Sequence, residues 1–339
     1  MKGTPESGRP RVGRKKKAGR GVAIPAGAAL ALILVAATLL FTPAATERSP
    51  VGSLYGGDAI PAESSDGAAG DERSRAPLAE TPLRVSLNST NAILVESNDG
   101  RDVLLDVSSG ERIYPASLTK IMTAVVVLEH APDHDALVRL SQGIFDRTFA
   151  QNASTAGFLP GESVRVRDLL YGLLLSSGAE CAIGLAEHIA GDETAFAALM
   201  NRKAAELGMD ATHFTNATGL HDPELYTTVR DIAVLLDYAL ENALFYEIFT
   251  SRRHIVRATD GRSEDLRLYS TLFAKTDGEY EGFALLGGKT GYTPEAGQCL
   301  ASVAEKNGRR YMLVTAGAPG DNRTEALHVE DAVAVFSAL

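Results

Sequence analysis

The sequence predicts an α+β domain over residues 83–339, because β-prone runs bracket a long helical middle rather than alternating with helices. Asn91–Ser97 and Arg101–Val107 are apolar and β-prone, and Asn98-Asp99-Gly100 between them is a hairpin signal. Strand character returns at Phe283–Lys289, Leu300–Glu305 and Arg310–Thr315, with Lys306-Asn307-Gly308-Arg309 as the turn joining the last two. Strands so placed would meet in one antiparallel sheet with helices packed on its faces.

The helical middle opens at Ser117, where Ile121, Ala124, Val125 and Leu128 recur at the spacing of one helix face. From about Ser141 to Arg267 the pattern is mainly helical, a subdomain in which Val166–Leu175, Ala179–Ala190, Glu193–Gly208 and Val229–Glu247 each read as a helix. Arg323–Leu339 closes the chain as an amphipathic helix, and no internal repeat is visible.

The first 82 residues read differently. Residues 1–20 hold Lys2, Arg9, Arg11, Arg14, Lys15, Lys16, Lys17 and Arg20 against Glu6 alone, a local charge of +7; with a chain total of −10, everything after residue 20 carries −17. An acidic body of that kind has no general attraction for nucleic acid. Residues 21–41 are uncharged and long enough to cross a bilayer as a helix, and the basic run before them would hold the N-terminus in the cytoplasm. A cleaved signal peptide is the competing reading, although Pro43-Ala44-Ala45 is a poor cleavage site. The uncleaved membrane anchor is favoured, and both readings export the remainder. Residues 42–82, rich in Ala, Gly, Ser, Pro, Asp and Glu, bury too little to fold and read as a flexible linker. Cys181 and Cys299 are no disulfide framework, and buried free thiols in a helix and a strand suit them equally well. His213 and His221 fit no common zinc spacing, so neither a metal nor another cofactor is expected.

Three short motifs carry chemistry. Ser117-Leu118-Thr119-Lys120 sets a hydroxyl and an amine one helical turn apart on a shared face. Serine is a poor nucleophile until its proton is removed, and a desolvated lysine, or one crowded by another cation, can remove it near neutral pH. Ser176-Ser177-Gly178 lies where one apolar helix gives way to the next, and Lys289-Thr290-Gly291 ends a strand. Glycine after Thr290 lets that strand approach a ligand closely, and Lys289 brings a second cation that can depress Lys120.

Order, spacing and flanks of these motifs make residues 83–339 similar to the penicillin-binding D-alanyl-D-alanine carboxypeptidases, serine peptidases with a β-lactamase-like fold. The flanks are Tyr114-Pro-Ala-Ser-Leu-Thr-Lys, Asn216-Ala-Thr-Gly-Leu220, Tyr226-Thr-Thr-x-x-Asp231 and Ala296-Gly-Gln-Cys-Leu. The resemblance implies Ser117 as the acylated nucleophile, Lys120 as general base, and Ser177 as a bridge that passes the proton to the leaving amine. It implies further that Lys289 and Thr290 hold the substrate's terminal carboxylate, that Gly291 lines the substrate site, that the N–H groups of Ser117 and Tyr292 form the oxyanion hole, and that Arg323 orients that carboxylate. The plain alternative for Arg323 is an exposed charge near the start of the last helix. The implied partners are peptidoglycan stem peptides as substrates, β-lactams as covalent inhibitors, and the membrane through the N-terminal helix.

One departure stands out. The family usually has Ser-Gly-Asn where this chain has Ser177-Gly178-Ala179, which removes an amide that bonds the substrate's peptide carbonyl. Such a neutral hydrogen bond is typically worth about 1 kcal/mol. Two other functions remain in view: a β-lactamase-like hydrolase, which needs fast deacylation, and a catalytically weak protein that binds penicillin or cell-wall peptides.

Overall fold

The first and last strands of the described chain pair in one sheet. The computed structural model describes residues 83–97 and 102–339. The basic tail, the apolar 21–41 run, the linker and the Asn98-Asp99-Gly100 turn lie outside those residues. Among the described residues, no helix is long and apolar enough to cross a membrane.

Ten strands and eight α-helices are described: β1 Asn91–Glu96, β2 Val103–Val107, α1 Thr119–His130, β3 Leu137–Arg139, α2 Gln142–Ala150, β4 Ser163–Arg165, α3 Val166–Leu174, α4 Ala179–Ala190 and α5 Glu193–Glu206. Then follow α6 Val229–Leu240, α7 Ala243–Phe249, β5 Arg253–Val256, β6 Leu266–Tyr269, β7 Glu279–Tyr280, β8 Phe283–Thr293, β9 Gly297–Lys306, β10 Arg309–Ala318 and α8 Leu327–Ala338. The main sheet has the order β2-β1-β10-β9-β8-β7 and is antiparallel throughout. β1 pairs with β10 from Asn91↔Ala316 to Glu96↔Tyr311, so the expected meeting of terminal strands occurs. The α+β architecture read from the sequence is the one observed.

The sheet is a middle layer. Alternate side chains point to opposite faces, so Ile93, Val95, Met312 and Val314 enter one core with the helical region, while Leu94 and Leu313 join Val329, Ala332, Val335 and Phe336 of α8 in a second. Burial on both faces explains why these strands are apolar at nearly every position. α1 is buried all round from Thr119 to Val127 and forms the axis of the helical side. At the other end, Asp331 of α8 accepts bonds from Asn88 N (2.7 Å), Ser89 N (2.8 Å) and Ser89 Oγ (2.6 Å), fastening the entry to β1.

The stretch 141–267 is mainly helical, as expected, from α2 to α7. Two small ladders in and beside it, β3 with β4 and β5 with β6, were not read, because strands of three and four residues are too short to show alternation. Two expectations are corrected. The helix expected over Val229–Glu247 breaks, because Asn242 Oδ1 accepts from Leu244 N and Phe245 N (3.0 Å each) and caps a new helix. The last helix starts at Leu327, not Arg323, since Gln298 Nε2 binds Asp321 O, Thr324 Oγ1 and Glu325 O and holds that stretch as a loop.

His328 sits beneath that loop, with its ring Nδ1 on Gln298 Oε1. Burial, reinforced by the Lys275 charge and opposed by Asp331, pulls its pKa down to about 4. The unfolded chain therefore takes up a proton near pH 6.5 that the folded chain refuses, and stability falls as pH drops through this window. Between pH 7 and pH 5, urea unfolding should show the wild type losing about 2 kcal/mol more than His328→Gln. Equal losses would mean that His328 does not stay neutral.

Candidate active site

The site is assembled from four places in the chain. Pro115 leads into a single 3₁₀ turn at Ala116–Leu118, so Ser117 precedes α1 instead of opening it. Ala116 takes φ 46°, a left-handed conformation that costs a non-glycine residue on the order of 1 kcal/mol. The turn is held from two sides. Gly291 of β8 brings bare backbone so close that a Cβ there would lie 3.1 Å from Ser117 N. Gly219 (φ 78°) lies where a Cβ would meet Ala116 O at 1.8 Å.

Lys120 and Lys289 meet beneath Ser117 in a nearly dry interior, only 2% and 0% exposed. Lys120 Nζ donates to Ser117 Oγ at 3.0 Å and to Thr218 O at 2.5 Å. Lys289 Nζ donates to Ser177 Oγ at 2.9 Å and to Thr290 O at 2.7 Å. Burial pulls the Lys120 pKa down to about 8, against opposing pulls from Cys181 and Glu180. Burial, and after it the Lys120 charge, pushes the Lys289 pKa well below the ordinary lysine value. Two amines so placed cannot both hold protons near neutral pH. The sequence anticipated that the Lys289 charge would depress Lys120; instead desolvation lowers Lys120, and it is the Lys120 charge that adds to the lowering of Lys289.

Ser177 is buried, with φ 60°, between α3 and the first turn of α4. The Asn216–Leu220 loop supplies the Lys120 acceptor: Asn216 Oδ1 accepts from Thr218 N (3.1 Å), Thr218 Oγ1 (2.9 Å) and Gly219 N (2.8 Å). Thr123 Oγ1 donates to Ala217 O at 2.7 Å and anchors the loop on α1.

A cleft of about 760 Å³ opens above this cluster, lined by Ser117 and Lys120 at its base and by Ala179, Tyr292, Asn152 and Glu295 among its walls. Lys289-Thr290-Gly291 lies within β8 rather than at its end, the strand continuing through Tyr292 and Thr293 into the cleft wall. Ser117, Lys120, Ser177, Lys289, Gly291 and Tyr292 are thus brought together. Thr290 is half-buried and donates its hydroxyl to Thr271 Oγ1 (2.7 Å), so a carboxylate would have to displace that partner. Arg323 is exposed on the loop before α8, beside the cleft and not among its lining, where its neighbour Asn322 is found.

This geometry can activate a serine, accept its proton and stabilise an oxyanion between two strand and turn amides. A family model described as D-alanyl-D-alanine carboxypeptidase matches residues 77–320. The chain belongs to that family. It is 35% identical over 232 residues to the D-alanyl-D-alanine carboxypeptidase DacF of Bacillus subtilis, covering 67% of this chain and 57% of that protein. The chain thus spans a little over half the length of that relative. The D-alanyl-D-alanine carboxypeptidase of Streptomyces sp. strain K15 is 32% identical over 224 residues, 63% of this chain and 76% of that protein. The crystal structure of the Streptomyces K15 DD-transpeptidase superposes with a TM-score of 0.67 at 27% identity, covering 75% of this chain and 97% of that one. A D-alanyl-D-alanine carboxypeptidase structure from Mycobacterium tuberculosis gives 0.64 at 26% identity, covering 78% and 96%. The fold is that of the β-lactamase-like DD-peptidases, as the motifs implied.

Several site residues were not foreseen. The Lys120 acceptor is a backbone carbonyl, Thr218 O, and the Gln151–Ser154 wall belongs to a segment without a motif. Glu180, next to Ala179, is a fully buried carboxyl. Both cysteines are free and buried, Cys181 in α4 and Cys299 in β9, matching the thiol reading; burial pushes the Cys299 pKa up to about 12. His213 binds Glu224 O and packs near Tyr226, while His221 meets the Tyr114 ring edge-on at 4.7 Å.

Gly219→Ala tests the packing under the nucleophile. The new Cβ must displace Ala116 O, so unfolding free energy should fall by about 3 kcal/mol or more. Labelling of Ser117 by a fluorophosphonate should slow on the order of a hundredfold. Wild-type stability together with wild-type labelling would show that the loop does not brace the turn.

Proposed function

We propose that this chain is a serine D-Ala-D-Ala carboxypeptidase that removes the terminal D-alanine of peptidoglycan stem pentapeptides. The observation that carries this reading is the Ser117–Lys120 and Ser177–Lys289 pair of hydrogen bonds buried at the base of the cleft. Neutral Lys120 takes the Ser117 proton as Oγ attacks the carbonyl of the penultimate D-alanine. The N–H groups of Ser117 and Tyr292 receive the oxyanion, which forms inside a site already desolvated and therefore needing little reorganisation. The tetrahedral adduct collapses to an acyl-enzyme and releases D-alanine, whose amine is protonated through Ser177 from the lysine pair. Lys120 then takes a proton from water as the water oxygen attacks the acyl carbonyl, and returns it to Ser117 Oγ as the ester bond breaks and frees the shortened peptide.

Tyr292 follows directly on Lys289-Thr290-Gly291 along β8, so the same strand would meet the scissile carbonyl and, a residue or two earlier, the terminal carboxylate. Lys289 and Thr290 hold that carboxylate in this reading, and Arg323 reaches it only if its loop moves toward the cleft. β-Lactams, acylating the same hydroxyl, act as inhibitors. Ala179 presents only a methyl group to the cleft, so substrate positioning relies on the remaining wall. The uncharged 21–41 run after a basic tail supports an uncleaved anchor, with residues 42–82 as tether and the catalytic domain outside the cell membrane.

Incubation with a Lys- or diaminopimelate-containing pentapeptide should release free D-alanine from the wild type and none from Ser117→Ala, which should also lose labelling by penicillin. Binding without release would leave only a peptide-binding protein, and acyl-enzyme turnover within seconds would indicate a β-lactamase. The pH profile is a separate check. Lys120 is charged and unable to accept a proton below about 8, so penicillin acylation should rise with pH through that value. A flat profile from pH 6 to 9 would exclude Lys120 as the base.

A further inference from the structure

Glu180 occupies the first turn of α4, is 0% exposed, and has no part in the steps above. Its Oε1 accepts from Ala156 N at 2.6 Å and Gly157 N at 3.1 Å, and the Phe158 amide faces the same carboxyl. Its Oε2 has no hydrogen-bond partner. A buried, unpaired carboxyl oxygen is costly, so its presence here calls for an explanation.

The segment gripped by Glu180 is the one that holds the relay. Ser154 O accepts from Ala179 N at 2.8 Å, and Ser154 Oγ donates to Ser177 O at 3.2 Å. Gly178 N completes the brace on Gly172 O at 3.0 Å. Ser177 keeps φ 60°, a conformation that persists in a non-glycine residue only when its surroundings over-determine it. Glu180 therefore stands one step behind Ser177: carboxyl to residues 156 and 157, that segment to Ser177 and Ala179, and Ser177 Oγ to Lys289. Burial raises the Glu180 pKa above the ordinary carboxylate value, opposed by the backbone amides around it; ionised, it favours the protonated amine of Lys120 on α1. The ionisable groups around this interior include Lys289 on β8, Cys181 on α4, Glu162 from the loop before β4, which faces Cys181, and Arg262, which pairs with Glu162 and donates to Gly157 O.

We propose that Glu180 is a positioning residue for acylation: its carboxyl fastens the 154–158 segment so that Ser177 keeps its left-handed turn beside Lys289, and its negative charge acts on Lys120. The proposal rests on the reading of Ser117 as an acylated nucleophile. The test is stopped-flow acylation of the full chain by a labelled penicillin across pH, with melting temperatures measured alongside. Glu180→Gln retains an acceptor oxygen for residues 156 and 157 but carries no charge. Its plateau rate should stay close to wild type while the rise with pH moves to lower pH, since the charge favouring protonated Lys120 is gone. Glu180→Ala, assayed well below its melting temperature, should lose plateau acylation on the order of a hundredfold, with the initial binding constant less affected.

An unmoved pH profile in Glu180→Gln overturns the proposal, as does a wild-type plateau in folded Glu180→Ala. If Glu180→Ala does not fold, the Glu180→Gln profile decides alone. A wild-type chain that penicillin does not acylate refutes the Ser117 reading, and this proposal with it; normal wild-type acylation with unaffected variants refutes this proposal only.

Discussion

Two lysine side chains share one dry interior, and the rest of the structure can be understood as what makes that tolerable. A buried ammonium without a partner is costly enough that the group sheds its proton instead. Here each amine has two oxygen acceptors: Lys120 on Ser117 Oγ and Thr218 O, Lys289 on Ser177 Oγ and Thr290 O. Two of those four acceptors are backbone carbonyls, which neither titrate nor rotate away. The serines therefore face amines of lowered basicity that are fixed in place, and a lysine can do the work of a base near neutral pH.

Holding that arrangement requires strain in several places at once. Ala116 and Ser177 both adopt left-handed backbone conformations without being glycine, one just before the Ser117 hydroxyl and one beside Lys289. Each is braced by elements distant in sequence: Ala116 by Gly219 and Gly291, Ser177 by Ser154 and Gly172. The sheet and the helical region meet along this line. β8 contributes Lys289 and the close backbone approach, while α1 and α4 contribute the other amine and the turn. Removing either side would leave polar groups stranded, so site and fold support each other.

Long, strongly patterned elements were legible in the sequence. The β1, β9 and β10 runs, buried on both faces, stand out as continuous apolar stretches, and α3 to α5 as helical repeats. The short ladders were not legible, since three or four residues cannot show a period. Asn242 was overlooked as a cap because the flanking sequence stays helical in pattern on both sides. In the site, side chains within motifs were readable: Ser117, Lys120, Ser177 and Lys289. Thr218 O and Ser154 O were not, because any residue has a carbonyl and only the fold chooses which one faces a lysine.

The sequence by itself determined the chemistry on offer, the class of fold and the order in which the reactive groups arrive, since these follow from residue type, hydrophobic period and motif spacing. Tertiary structure alone decided the protonation and aim of those groups. Lys120 and Thr218 are brought to 2.5 Å, and Lys289 and Ser177 to 2.9 Å, across 98 and 112 residues of chain. Tertiary structure also set Thr290 against Thr271, left Arg323 outside the cleft, and placed the Glu180 carboxyl on the Ala156 and Gly157 amides. Desolvation is the physical reason: it belongs to no residue and to no motif, and exists only once distant segments close around a group.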